Sequence, residues 1–147
     1  MPCPVCNAQT KNGNQCRHRT CKFAPKCHHH TKVRVGPSAI AGRGLFAKAD
    51  LRRNETIADY TLGTDTLTST QFFTRYPTGR ATHVWQHPSG TYYDARDLNK
   101  SVAGAANRAP KGKRNNARIT GGGKLQVQRP VKAGTEILAA YGPGFRV

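Results

Sequence analysis

Negative charge is scarce in this chain. Only 7 Asp and Glu stand against 24 Lys and Arg, a formal net charge of +17 over 147 residues. That surplus favours contact with a polyanion, nucleic acid first, and predicts salt-sensitive binding because neutralised phosphates release counterions. Long hydrophobic runs are missing: no stretch of 18 apolar residues occurs, so no membrane span is expected. No apolar stretch follows the first charges at the N-terminus, so no secretory signal is expected and an intracellular location, in the cytoplasm or nucleus of a host, is predicted. Cysteine is absent after residue 27, and all five lie between Cys3 and Cys27. In a chain without a signal, such clustering points to a metal site rather than a disulfide framework, and to a reducing compartment. No repeat recurs at a fixed period.

What is present divides in two. The expected units are a Cys/His-rich segment over 1–31 and a compact domain over 32–147. With 36% hydrophobic residues the chain can bury a modest core. The first segment reads Cys3-x2-Cys6-x9-Cys16-x4-Cys21-x5-Cys27, followed by His28, His29 and His30. About 30 residues cannot bury enough apolar surface to fold unaided, and a tetrahedral Zn2+ would supply the missing stability. The candidates outnumber four ligand positions. Cys6, Cys16, Cys27 and His30 are favoured, with Cys21 as chief rival and Cys3 next, through a Cys3-Pro-Val-Cys6 knuckle.

Beyond residue 31 the pattern is of short strands and frequent turns, a mainly β domain. Residues 32–36 alternate apolar and polar. Gly42-Arg43-Gly44 is a tight turn entering a strand at 45–47, and 55–60 is a further strand. Residues 69–76 suit one short helix capped by Ser69 or Thr70 and ended before Pro77. A hairpin over 82–86 and 91–95 turns at Pro88-Ser89-Gly90. Residues 108–116 form a basic loop without core-forming residues. Strands at 117–120 and 124–128 flank Gly121-Gly122-Gly123, and a last strand runs from Glu136 to Tyr141. Trp85, Tyr92 and Tyr93 read as core aromatics.

Several segments resemble a known family. Cys6 to His30, with Thr10-Lys11-x-Gly13 and Arg19-Thr20-Cys21, is similar to small zinc-binding modules that precede SET domains in some large DNA viruses. Ala41 to Ala47, AGRGLFA, resembles the opening Gly-x-Gly motif of the SET family. Asn54 to Tyr60 resembles its GExIxEY segment, and Tyr92-Tyr93-Asp94-Ala95 its YIDA strand. Asn107 stands where that family has the Asn of Asn-His-Ser, and Asn116-Ala117-Arg118 where the motif closes. Gly134 to Gly142 matches the closing pattern ending in Tyr-Gly. The order and spacing of these motifs carry the resemblance to a minimal, viral-type SET domain over about 32–145.

That resemblance implies an S-adenosylmethionine-dependent protein-lysine methyltransferase. Its fold would be several small sheets with a C-terminal segment threaded through a preceding loop, bringing Asn107 and Tyr141 together. It implies cofactor contacts at Gly42, Arg43, Gly44, Leu45, Asn107, Arg108 and Tyr141, a catalytic Tyr141, and a lysine channel walled by Tyr60 and Phe145. Three features depart from the family. Arg108 replaces the usual His and Ala109 the Ser, and the loop between Asn107 and Asn116 is longer and more basic. The sequence given stops five residues after Gly142, which leaves Phe145 or a second copy of the chain in a homodimer to close the channel. The expected substrates are lysine-bearing proteins, histones or nucleosomes among them. The rival expectation is a nucleic-acid-binding zinc protein whose SET-like fold has lost catalysis, and a β-rich adaptor that holds a protein partner through its zinc segment is the other.

Overall fold

The computed structural model describes residues 3–140 and the strand at 145–146. Among the described residues, eleven short strands form three small sheets, accompanied by one short α-helix. In the first, β1 (Val33–Pro37) and β2 (Arg43–Ala47) form an antiparallel hairpin, and β9 (Glu136–Ile137) lies on the other edge of β2. The alternation seen in 32–36 explains β1. Val33 is buried, while Arg34 faces outward with its guanidinium 4.8 Å from the Phe46 ring centre.

The second sheet runs β10 (Ala139–Ala140), β7 (Ala117–Ile119), β8 (Lys124–Val127), β3 (Thr56–Asp59). The third runs β11 (Phe145–Arg146), β5 (Ala81–Gln86), β6 (Tyr92–Asp94), β4 (Asp65–Leu67). The mainly β, several-sheet architecture is the one expected. The principal core joins all three sheets through Leu45, Ile57, Trp85, Val102, Leu125 and Ile137. Trp85 and Tyr92 are both buried, as packing residues should be. β4 and a 3-10 turn at Ala103–Ala105 have no counterpart in the sequence reading.

Two boundaries differ for local reasons. The helix α1 (Ser69–Arg75) is capped by Thr68, not by Ser69 or Thr70. Thr68 Oγ1 accepts from the Gln71 amide at 3.2 Å, and Gln71 Oε1 accepts from the Thr68 amide at 2.9 Å, a reciprocal capping box. The expected strand from Glu136 to Tyr141 is two strands, β9 and β10, in different sheets. Leu138 lies between them, because the Asn116 side chain takes its amide at 2.8 Å and the chain changes partner there.

One buried acid organises the third sheet. Asp94 Oδ2 accepts from Arg75 at 2.9 Å and from the Tyr76 hydroxyl at 2.6 Å, and Oδ1 accepts the Arg96 amide at 3.0 Å. Burial and the Asp94 charge push the Tyr76 hydroxyl up to about 12. His83 sits 3.6 Å from the same carboxylate, yet burial dominates and its pKa is lowered. Lys100 and then Arg75 hold the Asp65 carboxyl below its ordinary range.

Both lowered values act in one direction. His83 contributes stability fully above its unfolded pKa of about 6.5, and Asp65 above about 3.9; each contribution is lost as pH falls towards the folded value. The urea midpoint should therefore fall between pH 7.5 and 5, and fall less in His83→Gln. Equal pH dependence in the two proteins would contradict the assignment to His83.

Candidate active site and metal centre

The N-terminal segment is organised by four side chains. Cys6, Cys16, Cys27 and His30 offer ligand atoms that all lie within 4.8 Å of one another. Local turns place them. Thr10 to Asn14 is a tight turn with Gly13 at φ +80°, and the short bridge between Gln9 and Gln15 follows from it. Cys6 is fixed by its amide to the His18 carbonyl at 2.8 Å. Cys27 opens a single helical turn, since the amides of His30 and Thr31 both bond its carbonyl. Side chains three apart on such a turn share a face.

The distances suit a tetrahedron. Sγ of Cys16 and Cys27 are 3.9 Å apart, and Nδ1 of His30 lies 3.3 Å from Sγ of Cys27 and 3.7 Å from Sγ of Cys6. Metal–sulfur bonds of about 2.3 Å and metal–nitrogen bonds of about 2.0–2.1 Å put tetrahedral ligand atoms roughly 3.4–3.8 Å apart. All three thiols are at most 2% exposed. Burial pushes the Cys6 thiol up, but amides of Ala8 and Cys27 and the neighbouring thiols outweigh it and its pKa is lowered. Three sulfurs this close cannot all ionise unless a cation sits between them. The donor set therefore fits a metal, and His30 would use Nδ1.

Cys21 requires a correction. Its sulfur is bonded to Cys3 in a disulfide with a Cα–Cα distance of 5.2 Å, so neither residue is a ligand. The segment holds both a metal-ligand group and a disulfide, not a metal site alone. The physical reason is pairing across the fold: Val5 bridges Arg19 in antiparallel register, which sets Cys3 beside Cys21. Here the segment meets the larger domain. The Val102 amide bonds the Lys22 carbonyl at 3.0 Å, and a Cβ on Gly63 would meet the Cβ of Cys21 at 2.6 Å.

A second centre lies around Asn107. Its Nδ2 is 3.1 Å from the Ala41 carbonyl, 3.2 Å from that of Arg43 and 3.1 Å from Glu136 Oε2. The Ser38 hydroxyl bonds the same Glu136 carboxylate at 2.9–3.0 Å. One amide thus ties the Gly-x-Gly turn to the start of β9. Gly44 must lack a side chain, because a Cβ would stand 2.5 Å from Glu136 Oε2 and 3.0 Å from the Ser38 Cβ. Gly42 is required for another reason: its φ is +42° and nothing stands within 4 Å of the missing Cβ. Gly42 and Arg43 are exposed, so the backbone there is open to a ligand.

The strand after β9 is gripped from both sides. Asn107 bridges Leu138 in parallel and accepts the Ala139 amide at 2.9 Å. Asn116 takes the Leu138 amide on Oδ1, donates Nδ2 to the Glu136 carbonyl at 2.9 Å, and bonds the Leu138 carbonyl through its own amide at 2.8 Å. The two ends of the loop 107–116 therefore close around 136–139.

The remaining candidates separate clearly. Leu45 is fully buried, so only its backbone can serve a ligand. Arg108 is exposed at the mouth of the loop. Tyr60 is 2% exposed within the principal core. Phe145 pairs with Trp85 through β11. Tyr141 lies outside the described residues. Glu136, Ser38 and the gripping role of Asn116 were not read from the sequence. Glu136 stood in a recognised motif, but nothing local shows that its carboxylate reaches back 98 positions to Ser38.

Chelation should unfold 3–31 and leave 32–140 folded, with loss of about one metal ion per chain by elemental analysis. Cys16→Ser should lose the ion and Cys21→Ser retain it; the reverse would overturn the ligand set. Asn107→Ala removes the donor to the exposed carbonyls of Ala41 and Arg43 and to the part-buried Glu136 carboxylate, and should cost about 0.5–1.5 kcal/mol in urea unfolding. A loss below a few tenths would show that the amide does not hold the turn.

Solved structures that this chain resembles include the following two. The methyltransferase domain of human PR domain-containing protein 2 superposes with a TM-score of 0.57 at 20% identity, over 90% of this chain and 95% of that one. A Plasmodium falciparum protein described as a candidate histone methyltransferase superposes with a TM-score of 0.56 at 15% identity, over 78% and 96%. No family model matches the chain, and no curated protein sequence matches it. Spanning nearly the whole of both relatives, the chain has the fold of SET/PR-type methyltransferase domains.

Proposed function

We propose that the chain is an S-adenosylmethionine-dependent protein-lysine N-methyltransferase whose N-terminal segment is stabilised by Zn2+. The observation that carries this reading is the convergence at Asn107. The Gly-x-Gly turn, the loop 107–116 and the strand leading to Tyr141 meet there, with the backbone of Gly42 and Arg43 open to a ligand. The cofactor supplies a methyl group on a positive sulfonium.

The protein's own residues do the rest. Gly42 admits close approach of backbone to ligand, which a side chain would obstruct. Asn107 commits Nδ2 to the protein, so the oxygen of its side chain is the atom left to accept from a cofactor amine. Exposed Arg43 and Arg108 suit the cofactor's carboxylate; Arg108 takes the place of the family's His. Tyr141, two residues after Ala139, would orient the lysine nitrogen through its hydroxyl. The amine must be neutral to react, and free lysine titrates near ~10.4, so desolvation has to lower it. Positioning and exclusion of water are then the main tasks.

The substrate we propose is a lysine-bearing protein associated with nucleic acid, such as a nucleosomal histone. A free histone tail is basic and is repelled at long range by a chain of +17, whereas nucleosomal DNA reverses the sign.

Label from S-adenosylmethionine should pass to lysine in nucleosomes faster than in free histones. Tyr141→Phe should lower turnover by roughly 10² or more with little change in cofactor affinity. Full activity in that variant would remove Tyr141 from the mechanism. Cofactor binding without transfer to any protein in a lysate would favour the catalytically silent, nucleic-acid-binding reading.

A further inference from the structure

The metal-bearing segment has an outward face that the methyl-transfer reading does not use. No acidic residue occurs before Asp50, while residues 1–31 carry Lys11, Arg17, Arg19, Lys22 and Lys26. Even with three thiolates and a divalent cation at its centre, the segment stays net positive. Two depressions open on it. The first, about 660 Å³, is lined in part by Lys11, Arg17, His18 and His29. The second, about 310 Å³, lies where the segment meets the β1–β2 hairpin; Lys22, His28, Arg34 and Lys48 line it, and only its edge at Arg43 is shared with the proposed cofactor cradle. No acidic side chain lines either. Of the nearest acids, Glu55 is paired with Lys32 at 3.2 Å, and Asp97 has one oxygen engaged by the Asn99 amide at 3.0 Å.

Between the depressions stands a cluster of imidazoles. The ring centres of His28 and His29 are 3.8 Å apart, and His18 lies 5.2 Å from His29 and 6.0 Å from His28. All three residues are exposed. His29 lines the first depression and His28 the second, so the rings join them into one track. None of the three belongs to the ligand group around Cys6.

We infer that this track binds single-stranded nucleic acid, its cations holding phosphates and its imidazole rings stacking on bases. The chemistry selects the partner. Cations alone would take any polyanion, but exposed flat rings between two cationic hollows gain energy from unpaired bases, which a duplex hides. A duplex reader commonly places an extended helix in the major groove, and among the described residues the one α-helix, α1, is seven residues long and is tied by Arg75 to Asp65 and Asp94 of the third sheet. The polyanion contact is thus placed on the metal-bearing segment and not on the basic loop 108–116, which carries Lys111, Lys113 and Arg114. It does not depend on methyl transfer, because binding is read without cofactor.

Fluorescence anisotropy on the full metal-loaded chain tests it, with a labelled 20-nucleotide single-stranded DNA, the matching RNA, and a duplex, each across a salt series. Either single strand should bind at least tenfold more tightly than the duplex. Changing Lys11, Arg17 and Lys48 together to Ala should weaken single-strand binding tenfold or more. It should also reduce the log–log salt slope by about 2, from roughly 0.7 per lost phosphate contact. Changing Lys111, Lys113 and Arg114 to Ala should alter affinity less than twofold. His18→Ala with His29→Ala should remove the preference for single strands, and His18→Phe with His29→Phe should restore it. Metal content and the urea midpoint verify that each variant is folded. Absence of binding at low salt, duplex binding as tight as single-strand binding, or loss of affinity through the basic-loop variant instead would overturn the assignment.

Discussion

Two side-chain amides from one loop hold the strand on which the rest of the fold depends. Asn107 and Asn116 both bond the segment 136–139, from opposite sides, and Leu138 is shared between them. That grip explains why the last strand breaks at Leu138. Glu136–Ile137 belongs to the sheet of the Gly-x-Gly hairpin, and Ala139–Ala140 belongs to the sheet of β7. Each of these hydrogen bonds contributes only about 1 kcal/mol, but Asn116 is buried, so removing its partner would leave an unsatisfied polar group at greater cost. The same grip brings the Gly-x-Gly turn, through Asn107 and Glu136, to the chain that leads to Tyr141.

The metal-bearing segment solves a different problem. Its core consists of Cys6, Cys16 and Cys27 with Ala8 packed beside them, too little apolar surface to fold alone. Metal coordination by Cys6, Cys16, Cys27 and His30, worth on the order of 10 kcal/mol in small zinc modules, would replace the missing burial. The outer surface is thereby released from any packing duty, which is why it can carry exposed imidazoles and cations in a continuous track. Contact with the larger domain includes Cys21 against Gly63, the Lys22 carbonyl on the Val102 amide, and Phe23 against the principal core.

Much of this was legible in the sequence where the determinants are local. Alternation in 32–36 gave β1, and the β5–β6 hairpin followed from Pro88-Ser89-Gly90. The burial of Trp85 and Tyr92 followed from their place in strands. The reading failed where a distant partner decides. Nothing near Cys21 shows that Cys3 lies across from it, and nothing near Glu136 shows Ser38 and Asn107 converging on its carboxylate. Thr68 was passed over as a cap because its neighbours Ser69 and Thr70 are equally good caps in isolation; the Gln71 side chain reaching back selects it. β4 was missed because its three residues gain their pairing only from β6.

The account stands or falls on whether the cradle around Gly42 and Asn107 takes the cofactor. Titration calorimetry of the unmodified, metal-loaded chain with S-adenosylmethionine should give one binding site per chain, with affinity reduced in Asn107→Ala under conditions where that variant remains folded. No heat of binding at any cofactor concentration, or binding that Asn107→Ala leaves unchanged, would contradict it.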